Sequence, residues 1–380
     1  MTDLDVAELI DNPRIRIIIC CGSGGVGKTT TSAALAVRAA ESGRRVVVLT
    51  IDPARRLAQS IGVEQLDNTP RPVRGIDTAA GGSLDAMMLD MKRTFDEVVA
   101  DHATPEKAEA IFANPFYQAL STSFSGTQEY MAMEKLGQLS AQADADDRWD
   151  LIIVDTPPSR SALDFLDAPE HLASLLDGKF LRLLLNPSRG PFRLMGVGFS
   201  LVYSAMEKML GAQVITDVKT FAAAFETLFG GFRARAEQTL ALLGSDRTTF
   251  LVVATPEPDA LREASFFVDR LTESGLPLSG LVVNRTHGSQ LEISAERALA
   301  LAEDLEASSG RTDGGDHQAE IAALRRHADR MRMIEREHRL LARFSASRPD
   351  VAMRSVPDQS GDVTDLDALR LLGAALADEN

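Results

Sequence analysis

The chain has 380 residues, 44% of them hydrophobic and 25% charged, which fits a soluble globular protein of one large domain with an insertion, or of two domains. Its formal net charge of -15 argues against a duplex-binding face and predicts no nucleic-acid partner. No apolar run reaches the length of a membrane span, and the acidic start MTDLDVAELID has neither the basic nor the apolar part of a secretory signal. A cytoplasmic protein is expected, meeting membranes at most as a peripheral partner.

Residues Arg14 to Cys21 form a short β-branched run that reads as a buried parallel strand. The loop Gly22-Ser23-Gly24-Gly25-Val26-Gly27-Lys28-Thr29 follows, and an alanine-rich helix from Thr29 to Glu41 closes at Gly43. A second strand, Arg45 to Ile51, ends at Asp52-Pro53, and a third, Trp149 to Val154, ends at Asp155. Phe250 to Ala254 and Leu281 to Val283 read as strands flanking a helix that stops near Gly275. A last strand near Val351 to Val356 precedes a helix from a Thr364 cap to about Leu376. Strands alternating with helices at this spacing predict an α/β fold: a mostly parallel sheet covered on both faces.

Two stretches break the alternation and predict an inserted α-helical subdomain. The division is then 1–82 for the first part of the core, 83–147 helical, 148–161 a core strand with the loop after it, 162–246 helical, and 247–380 the rest of the core. The second helical stretch places Met195, Met206 and Met209 among Phe192, Leu194, Phe199, Leu201, Val202 and Leu210. That spacing fits a packed core or dimer face as well as an adaptable groove for a client helix. Ser308 to Asp316 is a polar, Gly-rich loop. Arg325, Arg326, Arg330, Arg332, Arg336 and Arg339 read as a solvated helix face beside Glu335 and Glu337. Cys20 and Cys21 point to opposite faces of one strand, so a bridge between them is poor geometry, and no CxxC or metal-ligand spacing exists.

Gly22-x-x-x-x-Gly27-Lys28-Thr29 between a strand and a helix is the complete P-loop pattern. Its glycines let backbone N–H groups close on phosphate oxygens, and the helix start adds a positive end. Lys28 then serves the β- and γ-phosphates, Thr29 a magnesium ion, and Thr30 the α-phosphate of ATP. Asp155, closing WDLIIVD, is the natural second magnesium residue. Asp52 lies at a strand end facing the same crevice and can orient the attacking water, or else cap the helix that holds Arg55, Arg56 and Leu57.

GSGGVGKTT, LTIDPARRL, IIVDTPPS, VVATPE and VVNR, in that order, resemble the ArsA-type ATPases. That group includes the arsenite-pump ATPase and the guided-entry ATPase that targets tail-anchored membrane proteins, within the SIMIBI class of dimeric P-loop ATPases. The resemblance implies that Asp52 is the switch I aspartate that positions water and Asp155 the switch II aspartate. It implies that Asn284 recognises adenine, that Pro357 lies where the last loop covers the base, and that ATP closes a dimer whose helical region grips a hydrophobic or tail-anchored client. Three departures stand out. The family's P-loop carries a lysine at its second position, reaching across the dimer, where this chain has Ser23. This implies either a heterodimer with a lysine-bearing paralogue or a slow homodimer, and raises the alternative of a low-activity regulatory subunit. Switch II reads Asp155-Thr156-Pro157-Pro158-Ser159-Arg160-Ser161-Ala162, without the family's glycine and histidine. The metalloid-binding cysteine triad and the zinc-binding CxxC are missing, which speaks against an arsenite pump and a zinc-stapled dimer. A positioning ATPase of the MinD or ParA kind is disfavoured by the acidic end LDALRLLGAALADEN, and an electron-transfer ATPase by the lack of cluster cysteines.

Overall fold

A computed structural model describes residues 2–52, 56–115, 117, 118, 121, 127–157, 234–309, 317–359 and 361–377. The expected helical subdomain with its methionines lies mostly outside them. So do Pro53 to Arg55, the switch positions from Pro158 onward, and most of the Ser308–Asp316 loop.

The first half of the chain builds α1 (Val6–Asp11), β1 (Ile17–Cys21), α2 (Lys28–Glu41), β2 (Arg45–Thr50) and α3 (Arg56–Ser60). It continues with β3 (Arg71–Pro72), β4 (Ser83–Met88), α4 (Met91–His102), α5 (Pro105–Phe112), α6 (Thr127–Asp146) and β5 (Leu151–Asp155). The second half adds β6 (Thr248–Ala254), α7 (Pro258–Glu273), β7 (Leu278–Thr286), α8 (Ala295–Ser309), α9 (Gln318–Ser347), β8 (Met353–Pro357) and α10 (Leu366–Ala377). Residues 234–243 are also helical.

The sheet order is β3-β4-β2-β5-β1-β6-β7-β8, parallel throughout except where β3 meets β4. The expected parallel α/β sheet is thus observed. β1, β5 and β6 are buried along their whole length, as expected of strands covered on both faces. α2 is an alanine-rich helix whose residues from Thr31 to Val37 are all buried, which lets α10 pack close on it. At that contact a Cβ on Gly373 would lie 3.3 Å from the Ala34 carbonyl oxygen.

Three readings of the sequence are corrected. Residues 83–88, expected to open a helical stretch, form β4 and pair in register with β2. Leu84, Ala86, Met87 and Met88 are residues common in helices, so only the neighbouring strand decides their state. The last helix is capped by Asp365, whose Oδ1 accepts from the Ala368 N–H at 2.8 Å, rather than by Thr364. Glu337 does not sit on a solvated face of α9. It is 6% exposed and accepts from the His287 N–H at 2.9 Å, with His287 Nδ1 at 2.6 Å, tying the end of β7 to the long helix.

Arg44 locks the strand-start end of the sheet, opposite the phosphate loop. The residue is 9% exposed, and its guanidinium donates to Asp150 Oδ1 and to the carbonyls of Ile10, Ile15 and Asp150 at 2.6–2.8 Å. A planar fork can serve that many acceptors at once, whereas an ammonium cannot. Arg44→Met should leave the Ile10, Ile15 and Asp150 carbonyls without this donor, while Asp150 keeps the Arg45 N–H, and lower the unfolding free energy by about 2–4 kcal/mol, read from urea denaturation.

Candidate functional site

The ends of β1, β2 and β5 converge where the chain enters α2. The loop after β1 is shaped by contacts that leave no room for side chains. Gly22 has φ +147°, and a Cβ there would lie 2.1 Å from the Val253 carbonyl oxygen. Gly27 has φ +95°, and a Cβ there would lie 2.2 Å from Asn284 Nδ2. Glycine is therefore required at both ends of the loop, by β6 at one and by β7 at the other.

Lys28 is 5% exposed, and its ammonium donates to the Ser23 carbonyl at 2.7 Å. Burial holds its pKa below the usual lysine value, opposed by the nearby Asp155 charge. Thr29 donates to Asp155 Oδ2 at 2.8 Å, and Thr50 donates to the same oxygen at 2.9 Å. The structure thus brings Lys28, Thr29 and Asp155 together, as expected from the pattern. Thr50 was missed by sequence reasoning. Its only signal is its place two residues before Asp52 at the end of a strand.

Asp155 is fully buried, and its Oδ1 has no hydrogen-bond partner. Burial pushes its carboxyl up from 3.8 to about 6, against the pull of the two threonine bonds and of Lys28. A buried carboxylate oxygen left unpaired beside a threonine hydroxyl suits a hard cation that takes oxygen ligands. Among the described residues no group of three or more His, Cys, Asp or Glu side chains converges. The set therefore suits magnesium, which keeps several waters and substrate phosphate oxygens, better than a metal caged by protein ligands alone.

Three clefts surround the loop. The largest, of about 800 Å³, is lined by Gly27, Thr29, Thr30 and Asn284, and after β8 by Asp358, Gln359 and Gly361 to Thr364. Its size falls in the ~300–1,000 Å³ range of small-molecule sites. A second, of about 260 Å³, holds Lys28, Thr29 and Asp52 together with Arg56 and Arg285. A third, of about 290 Å³, lies along Ser23, Gly24, Gly25 and Val26 on the outer side of the loop. Asn284 is 7% exposed and donates to the Val26 carbonyl at 2.9 Å, so it braces the loop. Pro357 closes β8 and is exposed, while the residues after it line the largest cleft. Cys20 and Cys21 are buried free thiols, and burial pushes Cys20 up to about 12 and Cys21 upward as well, so neither is a reactive thiolate.

Residues 15–296 match the family model of the anion-transporting ATPases. The chain belongs to this family. ATPase GET3 of Malassezia globosa is 25% identical over 289 residues, 75% of this chain and 78% of that protein. ATPase GET3 of Blastomyces gilchristii is 27% identical over 283 residues, 73% of this chain and 75% of that protein. Paramecium tetraurelia has two similar proteins, ATPase ASNA1 homolog 2 and homolog 1, at 25% and 24% identity over 73% of this chain, with 78% and 77% of each protein covered. As an anion-transporting ATPase of the ArsA type, the protein binds and hydrolyses ATP. Among the described residues no helix is long and apolar enough to cross a membrane.

The raised Asp155 carboxyl has a consequence for stability. The folded protein keeps a proton that the unfolded chain releases between about pH 4 and 6, so this group's contribution to stability is lost as pH rises through that window. Asp155→Asn should stabilise the nucleotide-free protein by about 2 kcal/mol near pH 7.5 and by close to nothing near pH 4. Urea denaturation at both pH values checks this, and the same variant should lose the stabilisation that Mg-ATP gives the parent.

Proposed function

We propose that the protein is a switch ATPase of the ArsA and guided-entry type. Mg-ATP binds at Gly22–Thr29, and its hydrolysis drives binding and release of a hydrophobic or membrane-protein client, with tail-anchored proteins the class to test first. The observation that carries this reading is the shared oxygen of Asp155. It takes one hydrogen bond from the phosphate-loop helix through Thr29 and one from the end of β2 through Thr50, two residues before Asp52. A change at the phosphates therefore reaches the Asp52 segment through a single carboxylate.

In this mechanism Lys28 exchanges the Ser23 carbonyl for the β- and γ-phosphates, while the loop N–H groups and Thr30 hold the remaining phosphate oxygens. Thr29 and Asp155 would hold Mg²⁺, which neutralises charge developing on the phosphate oxygens. Asp52, in the same cleft as Lys28, orients the attacking water. Asn284 and the loop past Pro357 line the cleft that would take the adenine. The part of 83–147 beyond β4 and the stretch 162–246 are assigned to the client, and the protein works in the cytoplasm, touching membranes only peripherally.

Ser23 favours a heterodimer in which a paralogue supplies the missing cation, because a hydroxyl cannot stand in for a charge at a terminal phosphate. The two ATPases of Paramecium tetraurelia give this reading a precedent in paralogous copies. If the partner does most of the hydrolysis, this chain is the low-activity regulatory subunit of the pair.

Asp52→Asn should keep Mg-ATP affinity by calorimetry while single-turnover hydrolysis falls roughly 10²–10⁴-fold. Pull-down with the ATP-trapped variant should recover a lysine-bearing paralogue or proteins with hydrophobic helices. Hydrolysis at the parent rate by Asp52→Asn would sink the assignment. Ser23→Lys should raise turnover of the isolated chain, and fast turnover by the unaltered chain alone as a homodimer would overturn the heterodimer.

A further inference from the structure

Arg285 follows Asn284 at the end of β7 and has φ 60°, one of two non-glycine residues with positive φ among those described. A side chain bearing a Cβ enters that region at a cost, so the surrounding contacts must hold it there. They do so through Asn284. Its Oδ1 accepts from the Arg285 N–H at 3.0 Å while its Nδ2 donates to the Val26 carbonyl, so the Arg285 backbone is tied to the phosphate loop. The side chain is exposed, and among the described residues its guanidinium makes no hydrogen bond or ion pair. Acidic Glu257, Asp259 and Glu263 line the outer cleft with it, yet it pairs with none of them. Arg285 lines all three clefts around the loop, sharing one with Ser23 and Gly24, one with Lys28 and Asp52, and one with Gly27 and Thr30.

An unpaired guanidinium on a strained backbone, lining the clefts around a phosphate loop, has a definite use. Lys28 is a point charge on the buried side of the loop, whereas a guanidinium offers a fork of N–H donors that matches two phosphate oxygens at once. Ser23 brings no charge to the outer side of the loop. Resting on the ATP-binding reading of this site, we propose that Arg285 binds the terminal phosphates of ATP bound to its own chain, as a second cation supplied by β7. It is a binding residue for the polyphosphate, and Asn284 positions it.

Calorimetry of the full chain with Mg-ATP and with adenosine, on the parent, Arg285→Asn and Arg285→Lys, tests this. Asparagine tolerates the left-handed backbone, so Arg285→Asn removes the guanidinium without adding strain, and its melting temperature without nucleotide should match or exceed the parent's. Mg-ATP affinity should fall about 10- to 100-fold in Arg285→Asn and several-fold in Arg285→Lys, while adenosine affinity stays at the parent value. Unchanged Mg-ATP affinity in Arg285→Asn overturns the proposal, as does an equal loss for adenosine, which would make the residue a base or loop contact. If Arg285→Asn does not fold, Arg285→Lys decides, and parent-like Mg-ATP affinity there overturns the proposal. A parent that binds no Mg-ATP overturns the ATP-binding reading itself and this inference with it. A parent that binds normally beside an unaffected Arg285→Asn overturns this inference alone.

Discussion

The site depends on a negative charge kept out of water. Asp155 is fully buried at the end of a central strand, with one carboxylate oxygen shared by two threonines and the other without a partner. Desolvating a carboxylate costs several kcal/mol unless it is compensated, and here the compensation is incomplete. The nucleotide-free protein carries that cost at the point where a cation and a phosphate would relieve it. Binding energy is thereby coupled to the geometry of β2 and β5.

The sheet makes this arrangement possible. β1 lies between β5 and β6, and its continuation turns back into α2 at the crevice beyond the strand ends. In open parallel sheets ligands collect there because helix starts and strand ends meet around one gap. Val253 on β6 and Asn284 on β7 press against the two ends of the loop, so its conformation is fixed from outside the loop. A perturbation of β7, through Asn284, Arg285 or the His287–Glu337 link to α9, would reach the phosphate loop directly.

The family match covers the phosphate loop and the strand ends at Asp52 and Asp155, while the departures define what is particular to this chain. Ser23 takes a cation away from the loop, and the structure puts an unpaired arginine beside it from another strand. The buried, inert cysteines leave no basis for a thiolate metalloid site.

The P-loop, the two strand-end aspartates and the alternation of strands and helices were legible in the sequence, because each rests on local spacing. Glycines at fixed offsets, a lysine and a threonine before an alanine-rich helix, and apolar runs of strand length need no distant partner to be read. β4 was not legible, since Ser83–Met88 becomes a strand only by pairing with β2. The contacts of Thr50 and Asn284 are likewise made with residues more than a hundred positions away in the chain, which meet only when the sheet forms. Local propensity names the elements, but which oxygen a hydroxyl serves, or where a guanidinium is held, follows from the order in which strands are placed side by side.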